Sequence, residues 1–162
     1  MQEATHDELA GVVDLFEALT RAELEQALVE LAFRQGSAVR EEAVAAAVEE
    51  AVREYYLVPL PANAVTGAVD SGKVLIVGPV AFPMLPPDGE DLPHILEVPT
   101  RAVNREAAAG TVAARLREDA AAAIEADDTE RASHLADVTY DLEAWGPVDL
   151  EELRAELLAV AD

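Results

Sequence analysis

The sequence has no cysteine, only one lysine (Lys73) and few aromatic residues, which make up 4% of the chain. The absence of cysteine excludes disulfides, thiol catalysis and thiolate metal sites. Its uncharged run, residues 74–87, is broken by prolines and is shorter than the roughly 20 apolar residues that span a bilayer. The N-terminus does not show a basic segment followed by an apolar one. We therefore expect no secretory signal and no membrane partner.

Acidic residues are in large excess. Against 11 Lys and Arg stand 33 Asp and Glu, a formal net charge of −22, while 51% of the residues are hydrophobic. That hydrophobic fraction favours a folded chain over a disordered one. A folded protein with this charge repels itself in dilute buffer, and molar salt screens most of the repulsion. We therefore interpret the chain as a cytoplasmic protein of an extreme halophile, whose acidity reflects the solvent.

Three helices are predicted in residues 5–58. The segments 5–8 (THDE) and 20–23 (TRAE) have the spacing of capping boxes, and each precedes an apolar stripe of helical period. A third helix is predicted at about 40–54. Three helices followed by a β-hairpin is the order of a winged-helix domain, so we describe this unit as winged-helix-like.

Residues 59–99 carry eight of the nine prolines and many β-forming residues. The stretches 64–69 and 74–77 flank a reverse turn, Asp70-Ser71-Gly72-Lys73, so we predict a β-hairpin there. Residues 78–87 are expected to form an edge strand or extended chain, because proline cannot donate to a ladder. The uncharged run 74–87 as a whole is interpreted as the buried, β-rich centre of the protein. A last short strand is predicted at 94–98.

The C-terminal third, residues 100–162, is predicted to be helical again. One helix begins at a cap on Thr100 or Asn104 and runs to about residue 126. Asp127-Asp128 ends it and caps a second helix, which ends before Gly146, and a final helix follows Asp149. The predicted fold class is therefore α+β: a single domain over 1–162 with a three-helix unit, a small proline-rich sheet or hairpin, and a C-terminal helical hairpin plus a final helix.

For two specific chemistries the sequence also offers a simpler explanation. Winged-helix DNA binding would need a basic face, for which the candidates are Arg21, Arg34, Arg40 and Lys73, but the third predicted helix carries two Arg against five Glu, which would repel phosphates. A metal site would need convergent ligands. His134, Asp137 and Asp141 share one helix face but flank its buried stripe, which favours a solvated acidic flank, so we predict no cofactor.

Five residues are candidates for an interaction site: Asp91, His94, Tyr140, Asp141 and Trp145. Large amphipathic aromatic residues are favoured interface anchors. None of the chain's motifs assembles a convincing catalytic constellation, so no catalytic residue is assigned. The leading hypothesis is a non-enzymatic cytosolic interaction or regulatory protein that binds a protein partner. The alternatives are a winged-helix DNA-binding regulator and a metal-dependent enzyme, and the oligomeric state is left open.

Four stretches carry a family resemblance: LTRAELEQALVELAFRQG, EYYLV, GPVAFPMLPPDGEDLPHILEV and DVTYDLEAWGPVDL. Together they resemble an uncharacterised protein family of haloarchaea, over almost the whole chain. The resemblance implies an archaeal, halophilic source and implies that residues 91–96 and 140–145 are family hallmarks. It implies no activity.

Overall fold

The chain begins with three helices, as predicted from the capping and apolar patterns. The computed structural model describes residues 5–37, 40–69 and 72–161. The N-terminal helices are α1 (His6–Phe16), α2 (Arg21–Arg34) and α3 (Glu41–Arg53).

Both predicted capping boxes are confirmed. The Thr5 hydroxyl accepts a hydrogen bond from the Glu8 N–H at 3.1 Å, and the Glu8 carboxylate accepts one from the Thr5 N–H at 3.0 Å. Thr20 and Glu23 repeat the exchange at 3.2 and 2.8 Å. Each box satisfies backbone donors that have no partner inside the helix, which fixes where α1 and α2 begin.

A two-stranded antiparallel sheet follows, but its pairing differs from the prediction. Strand β1 (Leu57–Pro61) pairs with β2 (Lys73–Val77). The predicted strand at 64–69 is wrong, because these residues form a helical turn, an isolated bridge from Val65 to Val103, and bends. Asp70 and Ser71 of the predicted turn lie outside the described residues. Leu19 extends the sheet, since it exchanges backbone hydrogen bonds of 3.1 and 2.7 Å with Leu75.

The interpretation of residues 74–87 as a buried centre is only half correct. Residues 74–76 are buried in the core, whereas residues 82–85 are exposed. The predicted strand at 94–98 is wrong as well. A short helix, α4 (Leu92–Ile95), occupies its first half, with Pro93 in the first turn, where a missing N–H costs nothing.

The core of this part of the chain forms where the inner faces of α1, α2 and α3 meet the sheet. Apolar residues spaced three and four apart on each helix face inward. Its fully buried members include Leu9, Val13, Leu24, Val48 and Leu57.

A buried arginine, Arg101, joins distant segments of this part of the chain. The Arg101 side chain is 1% exposed, and its guanidinium pairs with both carboxylate oxygens of Glu23, at 2.5 and 3.1 Å. It also donates to the carbonyl oxygens of Ala18 and Ala68 at 2.7–3.0 Å. Burial opposes ionisation of Glu23, but the hydrogen bonds from Arg101 and the Thr20 N–H outweigh it, so the pKa of Glu23 is lowered.

The C-terminal third consists of α5 (Arg105–Glu125), α6 (Thr129–Trp145) and α7 (Glu151–Ala161). The predicted caps at Asn104 and Asp128 are present, each accepting a backbone N–H. Helix α6 packs against both α5 and α7. Of the seven buried residues of α5, six are alanine or valine and the seventh is Leu116.

The contacts divide the chain into two compact units, residues 1–103 and 104–162. The α+β class, with N-terminal helices, a small sheet and C-terminal helices, is confirmed. The winged-helix-like arrangement and the single domain over 1–162 stay predictions.

Candidate functional site

The most exposed large apolar residues of the first unit include three on one loop. We call residues 82–87 (FPMLPP) the apolar loop. Phe82 is 80% exposed, Met84 57% and Leu85 49%. Side chains of this size are usually buried, because each gains about 1.5–3 kcal/mol on leaving water. A set of three within four residues is therefore a candidate binding surface.

Helix α1 fixes the first half of the apolar loop. The Phe82 N–H donates to Asp7 Oδ1 at 3.0 Å, and the Met84 N–H donates to the Asp7 carbonyl oxygen at 2.9 Å. Gly11 makes this approach possible, because a Cβ there would overlap the carbonyl group of Met84. The loop backbone is thus in direct contact with α1, while the side chains of Phe82, Met84 and Leu85 are exposed to solvent.

Helix α2 fixes the other end. Gln35 Nε2, just beyond α2, donates to the Pro87 carbonyl oxygen at 2.9 Å, and Arg34 forms an ion pair with Asp91 at 3.2 Å. Pro86 is buried, and its carbonyl accepts the Gly89 N–H at 3.0 Å. The loop is therefore ordered before any partner arrives, and three prolines further reduce the conformational freedom lost on binding.

The surroundings of the apolar loop are acidic. Asp88, Glu90, Asp91 and Glu97 are all exposed and follow it within ten residues. His94 is exposed at the last turn of α4. Of the five predicted interaction residues, Asp91 and His94 therefore lie next to this loop in the chain, and Asp91 helps to hold it through Arg34.

Tyr140, Asp141 and Trp145 belong to the second unit. The guanidinium of Arg154 lies 4.1 Å from the ring centre of Tyr140, and that of Arg105 lies 4.1 Å from the ring of Trp145. Tyr140 is 57% exposed and Trp145 is half-buried. Both rings are thus covered on one face by a cation, an arrangement that holds a guanidinium in place.

The predicted metal candidates lie on α6. Burial, followed by the charge of Asp137, raises the pKa of Asp141, and His134 acts in the opposite direction. These three groups therefore influence one another electrostatically. Across the residues with described positions, however, no three His, Asp or Glu side chains converge in a way that would hold a metal ion.

The four basic candidates do not form one face. Arg21 and Lys73 line a common groove. Arg34 lies at the opposite end of α2 from Arg21, about 20 Å away along the helix axis. Arg40 pairs with Glu42 at 3.7 Å. Arg21, Arg34 and Arg40 thus each contact a carboxylate, and DNA binding stays a prediction.

Sequence reasoning missed Phe82, Met84 and Leu85, because a run without charges was read as core. One signal was available: apolar residues alternating with prolines cannot enter a central strand, so they need not be buried in one.

No helix within the described ranges is long and apolar enough to cross a membrane.

Comparison with known proteins identifies the family of this chain. No curated protein and no solved structure matches the chain. A family described as a family of unknown function (DUF7109) matches residues 7–162. Because this match covers nearly the whole sequence, the chain belongs to the DUF7109 family.

Proposed function

We propose that this protein is a non-enzymatic, cytosolic interaction protein of an extreme halophile, and that it docks a protein partner on the apolar loop. The observation that carries the proposal is the combination of exposure and order. Phe82, Met84 and Leu85 face solvent, yet hydrogen bonds to Asp7 and Gln35 fix the backbone beneath them. An ordered apolar surface loses less conformational entropy on binding, so a larger part of its burial energy remains for affinity.

The composition of the loop suits a protein partner. Aromatic residues and methionine are enriched at interface centres, and methionine adapts to irregular surfaces. The exposed carboxylates of Asp88 and Glu90 border the loop. The partner we propose therefore presents an apolar segment flanked by Arg or Lys. At molar salt the Debye length is about 3 Å, so these charges select the partner only at contact, and apolar burial supplies most of the affinity.

The high acidity supports the proposed habitat. A net charge of −22 on 162 residues is costly in dilute buffer and tolerable at molar salt. The archaeal source and cytosolic location form part of the same proposal.

The test places a photo-crosslinking phenylalanine analogue at position 82 and irradiates the full chain in host lysate at molar KCl. Mass spectrometry then identifies the crosslinked segment, and the purified partner is titrated against the chain. We expect the crosslinked segment of the partner to be apolar and to be flanked by Arg or Lys. We expect Phe82→Ser to weaken binding by about tenfold or more, as for a central interface aromatic.

Phe33→Ser is the matched control, because Phe33 is 76% exposed on α2 and lies outside the loop. It should leave the affinity unchanged. Crosslinks to a second copy of this chain alone, or equal effects of the two substitutions, would contradict the proposal.

A further inference from the structure

A groove of about 250 Å³ opens in the first unit, where α2, α3 and the sheet meet. Binding pockets for drug-sized molecules usually measure about 300–1,000 Å³, so this groove suits a smaller ligand. Its walls are mostly apolar and carry three charged side chains. The apolar residues are Val48, Val52, Pro59, Val74 and Leu75, and the charged ones are Arg21, Glu49 and Lys73.

Lys73 is the first distinctive feature of the groove. It is the only lysine of the sequence, and it is exposed at the first position of β2. Within the parts of the chain that the structure describes, no carboxylate forms an ion pair with it. In a protein with 33 acidic residues, such a cation at the edge of an apolar groove is well placed to accept an anion.

Arg21 is the second distinctive feature of the groove. Its Nη2 lies 3.1 Å from the Ala45 carbonyl oxygen and 3.4 Å from Glu49 Oε1, and its Nε lies 3.7 Å from Glu25 Oε1. Charge-assisted hydrogen bonds are usually about 2.7–2.9 Å long, so both carboxylate contacts are loose. The side chain is 45% exposed. Its guanidinium can therefore turn toward a ligand without breaking a short ion pair.

From these features we infer that the groove binds a small organic carboxylic acid. The carboxylate lies between Lys73 and Arg21, and the apolar body covers Val52 and Pro59, the apolar lining residues that are only half-buried. Two cations against the single carboxylate of Glu49 give the lining a net charge of +1, while Glu25 contacts Arg21 from outside the lining. A single negative charge is matched by this lining, whereas a polyphosphate would meet both Glu49 and the repulsion of a −22 protein. The groove shares no residue with the apolar loop.

The test titrates the ¹⁵N-labelled full chain with hexanoate and, separately, with 1-hexanol, which has the same number of carbon atoms and no charge. We expect saturable amide shifts at the groove residues of α3 and β2. We expect hexanoate to bind about three- to tenfold more tightly than hexanol, since two partly exposed ion pairs each add a modest gain in affinity.

Lys73→Met should remove most of that preference while leaving the affinity for hexanol unchanged. Arg40→Met is the matched control, because Arg40 is 84% exposed and does not line the groove. Arg21→Gln provides a second variant on another element, and the spectrum without ligand reports whether each variant folds. Equal affinities for the two ligands, shifts outside the groove, or a Lys73→Met variant that behaves like Arg40→Met would overturn the inference.

Discussion

Replacing Arg101 by methionine should destabilise the first unit more than any surface change. Methionine replaces the apolar stem of arginine but cannot donate the five hydrogen bonds that the guanidinium makes to Glu23, Ala18 and Ala68. The substitution removes these donors from the Glu23 carboxylate and from two carbonyl groups, of which that of Ala18 is buried. Breaking a buried ion pair from one side costs about 3–5 kcal/mol.

We expect the lower end of that range, about 3 kcal/mol, because the Glu23 side chain keeps 18% exposure and can recruit some water. A loss of that size is a large part of the ~5–15 kcal/mol by which domains are usually stable. At a urea m-value of about 1–3 kcal/mol per molar, it lowers the unfolding midpoint by roughly 1–3 M.

The assay is urea unfolding at fixed molar KCl, followed by far-ultraviolet circular dichroism. Fluorescence of Trp145, the only tryptophan, reports the second unit separately. Arg40→Met is the control: its pair with Glu42 is more than 80% exposed on both sides, and such pairs contribute about 0–1 kcal/mol. If Arg101→Met lowers the midpoint no more than Arg40→Met, the stabilising role of Arg101 is refuted.

The same pair gives a pH dependence of known sign. The pKa of Glu23 in the folded state lies below its ordinary value of 4.5, so its ionised form stabilises the fold. That contribution is fully present above about pH 4.5 and is lost as the pH falls through the lower folded-state pKa. The stability advantage of the wild type over Glu23→Gln should therefore shrink on acidification below pH 4.5. An advantage that stays constant would contradict the assignment.

The remaining predictions concern α1, α5 and α6. Gly11→Ala should destabilise the chain by about 1–3 kcal/mol, because the new methyl group overlaps the Met84 carbonyl. Gly110→Ala on α5, whose methyl group would meet nothing within 4 Å, should stabilise the chain by up to about 1 kcal/mol, and urea unfolding compares the two variants. Asp137→Asn should lower the pKa of Asp141, since it removes a nearby negative charge, and carboxyl ¹³C NMR titration measures it; an unchanged pKa would show that burial alone is responsible.

Local signals in the sequence predicted the helices well. A capping box such as Thr20 with Glu23 involves atoms three residues apart, so its spacing is sufficient to locate the start of α2. The caps at Asn104 and Asp128 were predictable for the same reason. These contacts form within one turn of helix and depend little on the rest of the fold.

Strand pairing and the candidate site depended on distant contacts, and these were not predictable. The run of prolines gave no register, so residues 64–69 were predicted as the partner of β2, although β2 pairs with Leu57–Pro61. The backbone of the exposed Phe82 is held by a hydrogen bond to Asp7, 75 residues earlier in the chain. Hydrophobicity alone predicted burial there, because no local pattern shows that a backbone is already anchored elsewhere.

Residues 101–103, at the C-terminal end of the first unit, form hydrogen bonds and an ion pair with residues far earlier in the chain. Arg101 reaches back to Glu23, the Thr66 N–H donates to the Ala102 carbonyl oxygen at 2.9 Å, and Val103 bridges Val65. During synthesis, which proceeds at about 5–20 residues per second, the three N-terminal helices leave the ribosome seconds before these partners. The Glu23 carboxylate of the nascent chain therefore stays solvated until residue 101 emerges. A chain truncated before residue 101 would contain the three helices but lack Arg101, the cation that pairs with Glu23.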